Sequence, residues 1–388
     1  MDMQKIYDFI DSQYPSMLHL WKEIVLIESG SANLEGVNTL AAHMDTYLVA
    51  MGLETKKYAY PTAGAGVAAW TPEASLPPIL LMAHMDTVHA KGSFGDKLWV
   101  EEEGIVHGAG VYDCKGGIAV ALLVTKALQF AGYKKRQIKL LFTGDEEVAH
   151  QLSNEASLAL YHENAPGAAA AFNCESAPAK GDVVLQRKGA NIFKIKVHGI
   201  SAHTGRAPLK GANAIREAAK LVEKLESLTD YPDGVYCNCG KISGGSAVNS
   251  VPDYCEISAS LRYSSLSMYE EAMAKIREIC AHPSDSRITV ELVEQAKFPA
   301  MEKVAKSDAL YEVYRNACVE LGFAAPAALY EGGASDAAHT TLAGVPTICG
   351  CGVRGGDNHS PLEWAVPESL KESAKKIVTA ILRLPDDF

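Results

Sequence analysis

The chain has 388 residues, 48% of them hydrophobic and 21% charged, and a formal net charge of −11. That length buries a large core and suggests two or three domains, while the acidic balance argues against nucleic acid or an anionic membrane as partner, since both select basic surfaces. The N-terminal MDMQKIYDFIDSQYP has no apolar signal core, no run is long and apolar enough to span a membrane, and nine scattered cysteines read as reduced thiols, so the expected location is cytoplasmic.

Residues 2 to about 28 carry apolar positions at helical spacing, interrupted by Pro15, which predicts two helices or one broken at the proline. A helix is expected over 36–51, ended by Gly52. The apolar run from Ile79 to Met82 reads as a buried strand that releases His84 and Asp86 from its C-terminal end, where an open α/β sheet places its chemistry. Alternation puts those two side chains on one side, so that Asp86 can hold the second ring nitrogen of His84.

HGAGVYDCKGGIAV at 107–120 follows, with two glycines ahead of a helix running to about Phe130. IKLLFT (138–143) is a second apolar strand and ends in Gly144, Asp145, Glu146 and Glu147. GAAAAFN (167–173) is a third and leads to Cys174 and Glu175. Uniformly apolar strands separated by helices predict an α/β domain with a mostly parallel, doubly covered sheet.

Near residue 180 the pattern changes. NIFKIKVHG (191–199) alternates apolar and polar, as do VYCNCGKI and YCEISASLRY; helices are expected at 211–228 and over SMYEEAMAKIREICA, and RITVELV closes the set. The β-α-β-β-α-β order predicts an inserted ferredoxin-like α+β domain over 181–296. The first character resumes with helices at about 307–322 and 368–383. The expected catalytic domain is therefore discontinuous, 1–180 plus 297–388.

Five potential metal ligands stand at strand ends or in glycine-rich loops: His84, Asp113, Glu147, Glu175 and His359. Histidines and carboxylates without a thiolate suit zinc, with cobalt or manganese as alternatives. Five exceed what one catalytic zinc with an open position takes. They suit two ions about 3.5–4 Å apart with a shared carboxylate, for which Asp113 is the natural choice. Glu146, adjacent to a ligand but not one itself, suits a general base. Cys114 reads as a small buried filler.

HMDTV, YDCKGG, GDEE, CES and DNHSPLEW, taken together, resemble the di-zinc metallohydrolase family of glutamate carboxypeptidase, aminoacylase, acetylornithine deacetylase and succinyl-diaminopimelate desuccinylase. The resemblance covers essentially the whole chain. It implies two Zn²⁺ per chain, with His84 and Glu175 on one, Glu147 and His359 on the other and Asp113 between. Asp86 would orient a ligand and Glu146 would be the base. SAHTG (201–205) is similar to the family's SAHxG, which implies that His203 polarises the substrate carbonyl. Asn249, Arg262 and Gly333 fall at positions implied to bind substrate. A homodimer through the inserted lid domain is implied as well. Glu175 as the fourth ligand, YDCKGG and GGASDAAHT look like the carboxypeptidase branch, so the resemblance implies a glutamate-carboxypeptidase-like exopeptidase acting on a dipeptide with a free carboxylate, with an N-acyl-amino-acid deacylase as the second choice and a dipeptidase as the third. The chain departs from the family after Glu147, where VAHQLSNEAS replaces a run with Gly and Ser and implies a different loop shape.

Overall fold

The computed structural model describes residues 2–230 and 234–388. It divides into two units: one takes the chain up to Gln186 with Lys303–Tyr330 and Ser335–Phe388, the other Arg187–Glu302 with Glu331–Ala334. The insert thus begins and ends a few residues later than the expected 181–296. The reason is local: the strand Val183–Arg187 pairs through Val184 with Cys349 in the first unit's sheet.

The first unit is built on an eight-stranded sheet in the order 54–58, 66–70, 136–143, 76–84, 170–173, 347–349, 183–187, 328–331. The central pairings, of Leu76–His84 with Arg136–Thr143 and with Ala170–Asn173, and of that strand with Thr347–Cys349, are parallel. The pairings of 54–58 with 66–70, of 66–70 with 136–143 and of 347–349 with 183–187 are antiparallel. The uniform apolarity of the strand 76–84 has a direct cause. Ile79, Leu81 and Ala83 join one buried cluster, with the helices Met3–Leu26, Gly116–Phe130 and Ser369–Arg383, while Leu80 and Met82 join another on the opposite face, with Leu160 and Tyr161. Burial of each such side chain contributes roughly 1.5–3 kcal/mol.

The first helix differs from expectation. Met3–Leu26 is one helix with Pro15 inside it. Proline removes one backbone donor, but Pro15 lies on the exposed side, where the carbonyl left over can meet water, and Ile6, Ile10, Met17, Trp21 and Ile24 still form one buried stripe. Asn33 caps the next helix, Leu34–Ala50, by accepting from the Gly36 amide, and Gly52 follows it with φ of 78°.

The second unit has a four-stranded antiparallel sheet in the order 236–244, 254–263, 189–198, 289–298. With the helices Ala214–Glu226 and Leu266–Ala281 this is the ferredoxin-like order. Its core gathers the inward residues Phe193, Ile195, Val197, Ile257 and Leu261 against Leu221, Met273 and Ile276 of the helices. Among the described residues no helix is long and apolar enough to cross a membrane. No disulfide joins any of the nine cysteines.

Candidate metal centre

Three parallel strands end side by side and deliver the first residues of the site. His84 is the last residue of its strand and pairs with Thr143, the last of the neighbouring one. Gly144 and Asp145 then lead to Glu146 and Glu147. On the other side Met82 pairs with Asn173, and Cys174 and Glu175 follow. The adjacency of strand ends therefore brings together carboxylates that are far apart in the chain.

Asp113 comes from a turn, 111–115, entered through Gly110 at φ 73°; the Asp113–Cys114 peptide is cis. Gly117, in the helix behind, lies so close to the next segment that a Cβ would fall 1.8 Å from the Cys174 carbonyl oxygen. Only glycine permits that approach, which brings the Asp113 turn against the Glu175 segment. His359 arrives on a loop whose following residues Trp364–Ala365 pair with His107 and Val106, just ahead of the Asp113 turn.

The five ligand candidates converge on Asp113. His84 Nε2 is 3.1 Å from Asp113 Oδ1 and 3.5 Å from Glu175 Oε2. His359 Nε2 is 3.3 Å from Asp113 Oδ2 and 3.3 Å from Glu147 Oε2. One carboxylate oxygen thus faces each imidazole, the arrangement of a carboxylate shared between two cations. Glu147 Oε1 and the same Glu175 Oε2, which has the His84 ring at 3.5 Å, are buried without a hydrogen bond. An orphaned buried carboxylate oxygen is costly unless a cation or donor answers it. Two imidazoles, three carboxylates and these orphaned oxygens fit divalent ions of the zinc type.

The electrostatics follow from the crowding. Burial works against ionised Asp113, but hydrogen bonds with His359 and His84 outweigh it and hold the carboxyl well below the usual range. Burial pushes Glu147 up to about 7, against the hydrogen bond with His359. Hydrogen bonds to Asp113 and Glu147 push His359 up to about 10. Glu146 is buried, and that burial holds its carboxyl well above the ordinary value, aided by Asp336, Glu175 and Glu147 and opposed by His84. A carboxyl so placed accepts a proton readily.

Asp86 meets the His84 ring through both its main chain and its carboxylate, and the carboxylate has further partners. His84 Nδ1 is 3.0 Å from the Asp86 backbone oxygen and 3.5 Å from its carboxylate. The carboxylate also accepts from the amides of Glu146 (3.2 Å) and Glu147 (3.1 Å) and from the Ser31 hydroxyl (2.8 Å). Its oxygens thus hold the glutamate turn as well as facing His84. Cys114 is buried as expected and also meets the His84 amide through Sγ at 3.2 Å.

Three contributors were not visible in the sequence. The Glu363 carboxylate, fully buried, accepts from the amides of Gly110, Tyr112 and Asp113 and pairs with His89 at 2.8 Å, which fixes the Asp113 turn. It sits inside DNHSPLEW, and a lone acid between apolar residues was its one available signal. Asn358 donates to Asp113 Oδ2 at 2.9 Å. Ser31 carries no motif at all. A cavity of about 500 Å³ lined by Gly30, Ser31, Asn33, Thr87 and His89 reaches Glu147.

The four remaining residues lie in the second unit. His203 pairs with Ser250 across two short strands, accepts from the Gly205 amide at Nδ1 (3.1 Å), and neighbours Asn249 through Thr204, whose amide and hydroxyl donate to the Asn249 carbonyl. Arg262 is half-buried in the strand 254–263, opposite Ala190 and Tyr236. The Gly333 carbonyl accepts from Arg187 at 3.1 Å.

A mixed α/β sheet whose parallel central strands end beside histidines and carboxylates of this kind is the frame of a metallohydrolase. Residues 80–383 match Peptidase family M20/M25/M40, and the chain belongs to that metal-dependent family of metallopeptidases and amidohydrolases. It is 26% identical over 382 residues to carboxypeptidase G2 of Pseudomonas sp. (strain RS-16), covering 96% of this chain and 91% of that one. It is 27% identical over 213 residues to the succinyl-diaminopimelate desuccinylase of Corynebacterium glutamicum, covering 52% and 54%. The fold is shared with a crystal structure of a tripeptidase from Staphylococcus aureus at a TM-score of 0.77 and 21% identity, over 95% of this chain and 97% of that one.

Proposed function

We propose that the protein is a di-zinc exopeptidase that removes a C-terminal residue, glutamate-carboxypeptidase-like, from small substrates with a free carboxylate. The observation that carries the reading is the division of Asp113 between two imidazoles, at 3.1 and 3.3 Å, beside two orphaned glutamate oxygens. His84, Glu175, Glu147, His359 and the shared Asp113 would hold the ions. When bound, such ions supply Lewis acidity that makes water a better nucleophile at neutral pH and polarises a carbonyl.

The chain supplies the rest. Glu146 takes the proton of the attacking water and returns it to the leaving nitrogen; its burial favours the first transfer, and its place beside a ligand favours both. Asp86 holds the Glu146 and Glu147 amides, so base and ligand keep their spacing. His203 stabilises the developing oxyanion, and Asn249, Arg262 and Gly333 bind the substrate's carboxylate end. The likeness to carboxypeptidase G2 over nearly the whole chain favours this branch. The similarity to a desuccinylase over half the chain supports a second reading, an N-acyl-amino-acid deacylase. We place the enzyme in the cytoplasm, as a homodimer through the inserted unit.

A hydrolysis screen with zinc, cobalt or manganese over dipeptides ending in Glu or Asp, aroyl-glutamates and N-acetyl amino acids separates the two readings. Turnover confined to N-acetyl amino acids overturns the exopeptidase. In the same assay Glu146→Gln should cost about 10²–10⁴-fold in kcat and leave metal binding intact; a variant with wild-type kcat removes Glu146 as the base.

A further inference from the structure

The segment after Glu147 lacks the glycines that a sharply turning loop usually uses. Ala149, His150, Asn154 and Glu155 nevertheless take φ of 53°, 59°, 52° and 63°. Such conformations persist in non-glycine residues only where the surroundings fix them. Part of the fixing is local: the Ala149 amide donates to the Glu146 carbonyl, the His150 amide to the Asp145 carbonyl, and the Ser153 amide to Asp145 Oδ2.

The tie to a distant segment is the His150 ring, which is fully enclosed. Nδ1 lies 2.8 Å from Ser157 Oγ, and Nε2 lies 2.7 Å from Asp336 Oδ1. Asp336 is itself buried, and its other oxygen accepts from the Tyr161 hydroxyl at 2.5 Å. The His339 ring stacks on Tyr161 with an interplanar angle of 13°. Beside Asp336, the Ser335 hydroxyl accepts from Asn173, the last residue of the strand that leads to Glu175. The turn that carries Glu146 is thus bolted through two buried ionisable groups to the neighbourhood of the opposite strand end.

We propose that His150 and Asp336 are positioning residues for Glu146: their buried pair fixes the 145–150 turn, and so sets where the Glu146 carboxylate meets the attacking water. The proposal rests on the reading of Glu146 as the base. Asp86 restrains the turn only at the Glu146 and Glu147 amides; the His150 tie restrains its far end. A base displaced by about 1 Å can cost about 10²-fold.

The test compares His150→Phe, which keeps a ring of similar size without polar atoms, with His150→Gln, whose amide nitrogen can still donate to Asp336. Both are made in the wild-type enzyme and in Glu146→Gln, and kcat, KM and bound zinc are measured with the best substrate of the screen. In the wild-type background His150→Phe should lower kcat about 10- to 100-fold, with KM and zinc content near normal, and His150→Gln should restore it to within a few-fold. In Glu146→Gln the same change should cost less than about 2-fold, because groups acting through one residue are non-additive. An equal loss in both backgrounds overturns the proposal, as does a fall in melting temperature with kcat unchanged. So does an extra zinc equivalent that His150→Phe abolishes, since a metal between these side chains would replace the hydrogen bond. If His150→Phe does not fold, Asp336→Asn carries the same comparison with the same outcomes. Wild-type kcat in Glu146→Gln alone would instead remove Glu146 as the base, the reading on which the proposal rests.

Discussion

The backbone amide of Glu146 donates to Asp86 Oδ1 at 3.2 Å, and through this bond the end of one strand controls the turn at the end of its neighbour. The Glu147 amide binds the other oxygen of the same carboxylate. Asp86→Ala frees both amides, that of Glu146 in buried surroundings. Removing an interaction that orients metal ligands typically costs about 10–100-fold in affinity or activity. The expected outcome is a loss of that size in kcat together with weaker binding of one ion, read by activity and by zinc titration. Unchanged kcat with full zinc content would show that the local turn suffices.

Asp113 presents one oxygen to each imidazole. Asp113→Ala should therefore weaken both metal positions at once, whereas Glu175→Ala should weaken one. Elemental analysis after dialysis against a chelator checks this. One tightly held ion in the Asp113 variant would mean that the carboxylate is not shared.

Arg262 is half-buried on its strand. A guanidinium grips a carboxylate through two parallel hydrogen bonds, which an ammonium cannot reproduce. Arg262→Lys should raise KM at least several-fold for substrates with a free carboxylate, by the energy of about one charged hydrogen bond. It should hardly change KM for an amidated analogue. Equal effects on both substrates would take Arg262 out of carboxylate binding.

The His150–Asp336 pair gives a pH dependence of stability. Burial opposes both charges, but Asp336 holds the His150 imidazole above its usual 6.5, and His150 holds the Asp336 carboxyl below its usual 3.8. His339 and Tyr161 also face Asp336. A raised histidine adds stability that is complete below about 6.5 and fades as pH rises through its folded value; a lowered aspartate adds stability that is complete above about 3.8 and fades as pH falls through its folded value. The difference in melting temperature between wild type and His150→Gln should therefore be greatest between about pH 4 and 6.5 and shrink on either side. A difference that grows above pH 7 would mean that the pair is not charged.

Much of the molecule was legible in the chain itself. Continuous apolar runs at 79–82 and 138–143 specified strands buried on both faces, because such strands must offer apolar side chains to two cores, and the structure assigns Leu81 and Leu80 to different ones. Alternation after residue 190 specified a sheet with one open face for the same reason. Residues of ligand chemistry stood at strand ends (His84, Glu147, Glu175) or in glycine-rich loops (Asp113, His359), so the sequence pattern named all five as candidates. What the tertiary structure alone decided was the support. Helix continuity through Pro15 depended on which side of the helix met water. The further role of Asp86 depended on which amides reached its oxygens. Glu363 and Asn358 carry no spacing signal, and His150 meets Asp336 across a sequence distance that no local pattern spans. Hydrogen bonds between distant segments form only after the sheet has set its strand ends side by side, so the candidate ligands are written in the local sequence and their restraint is written in the packing.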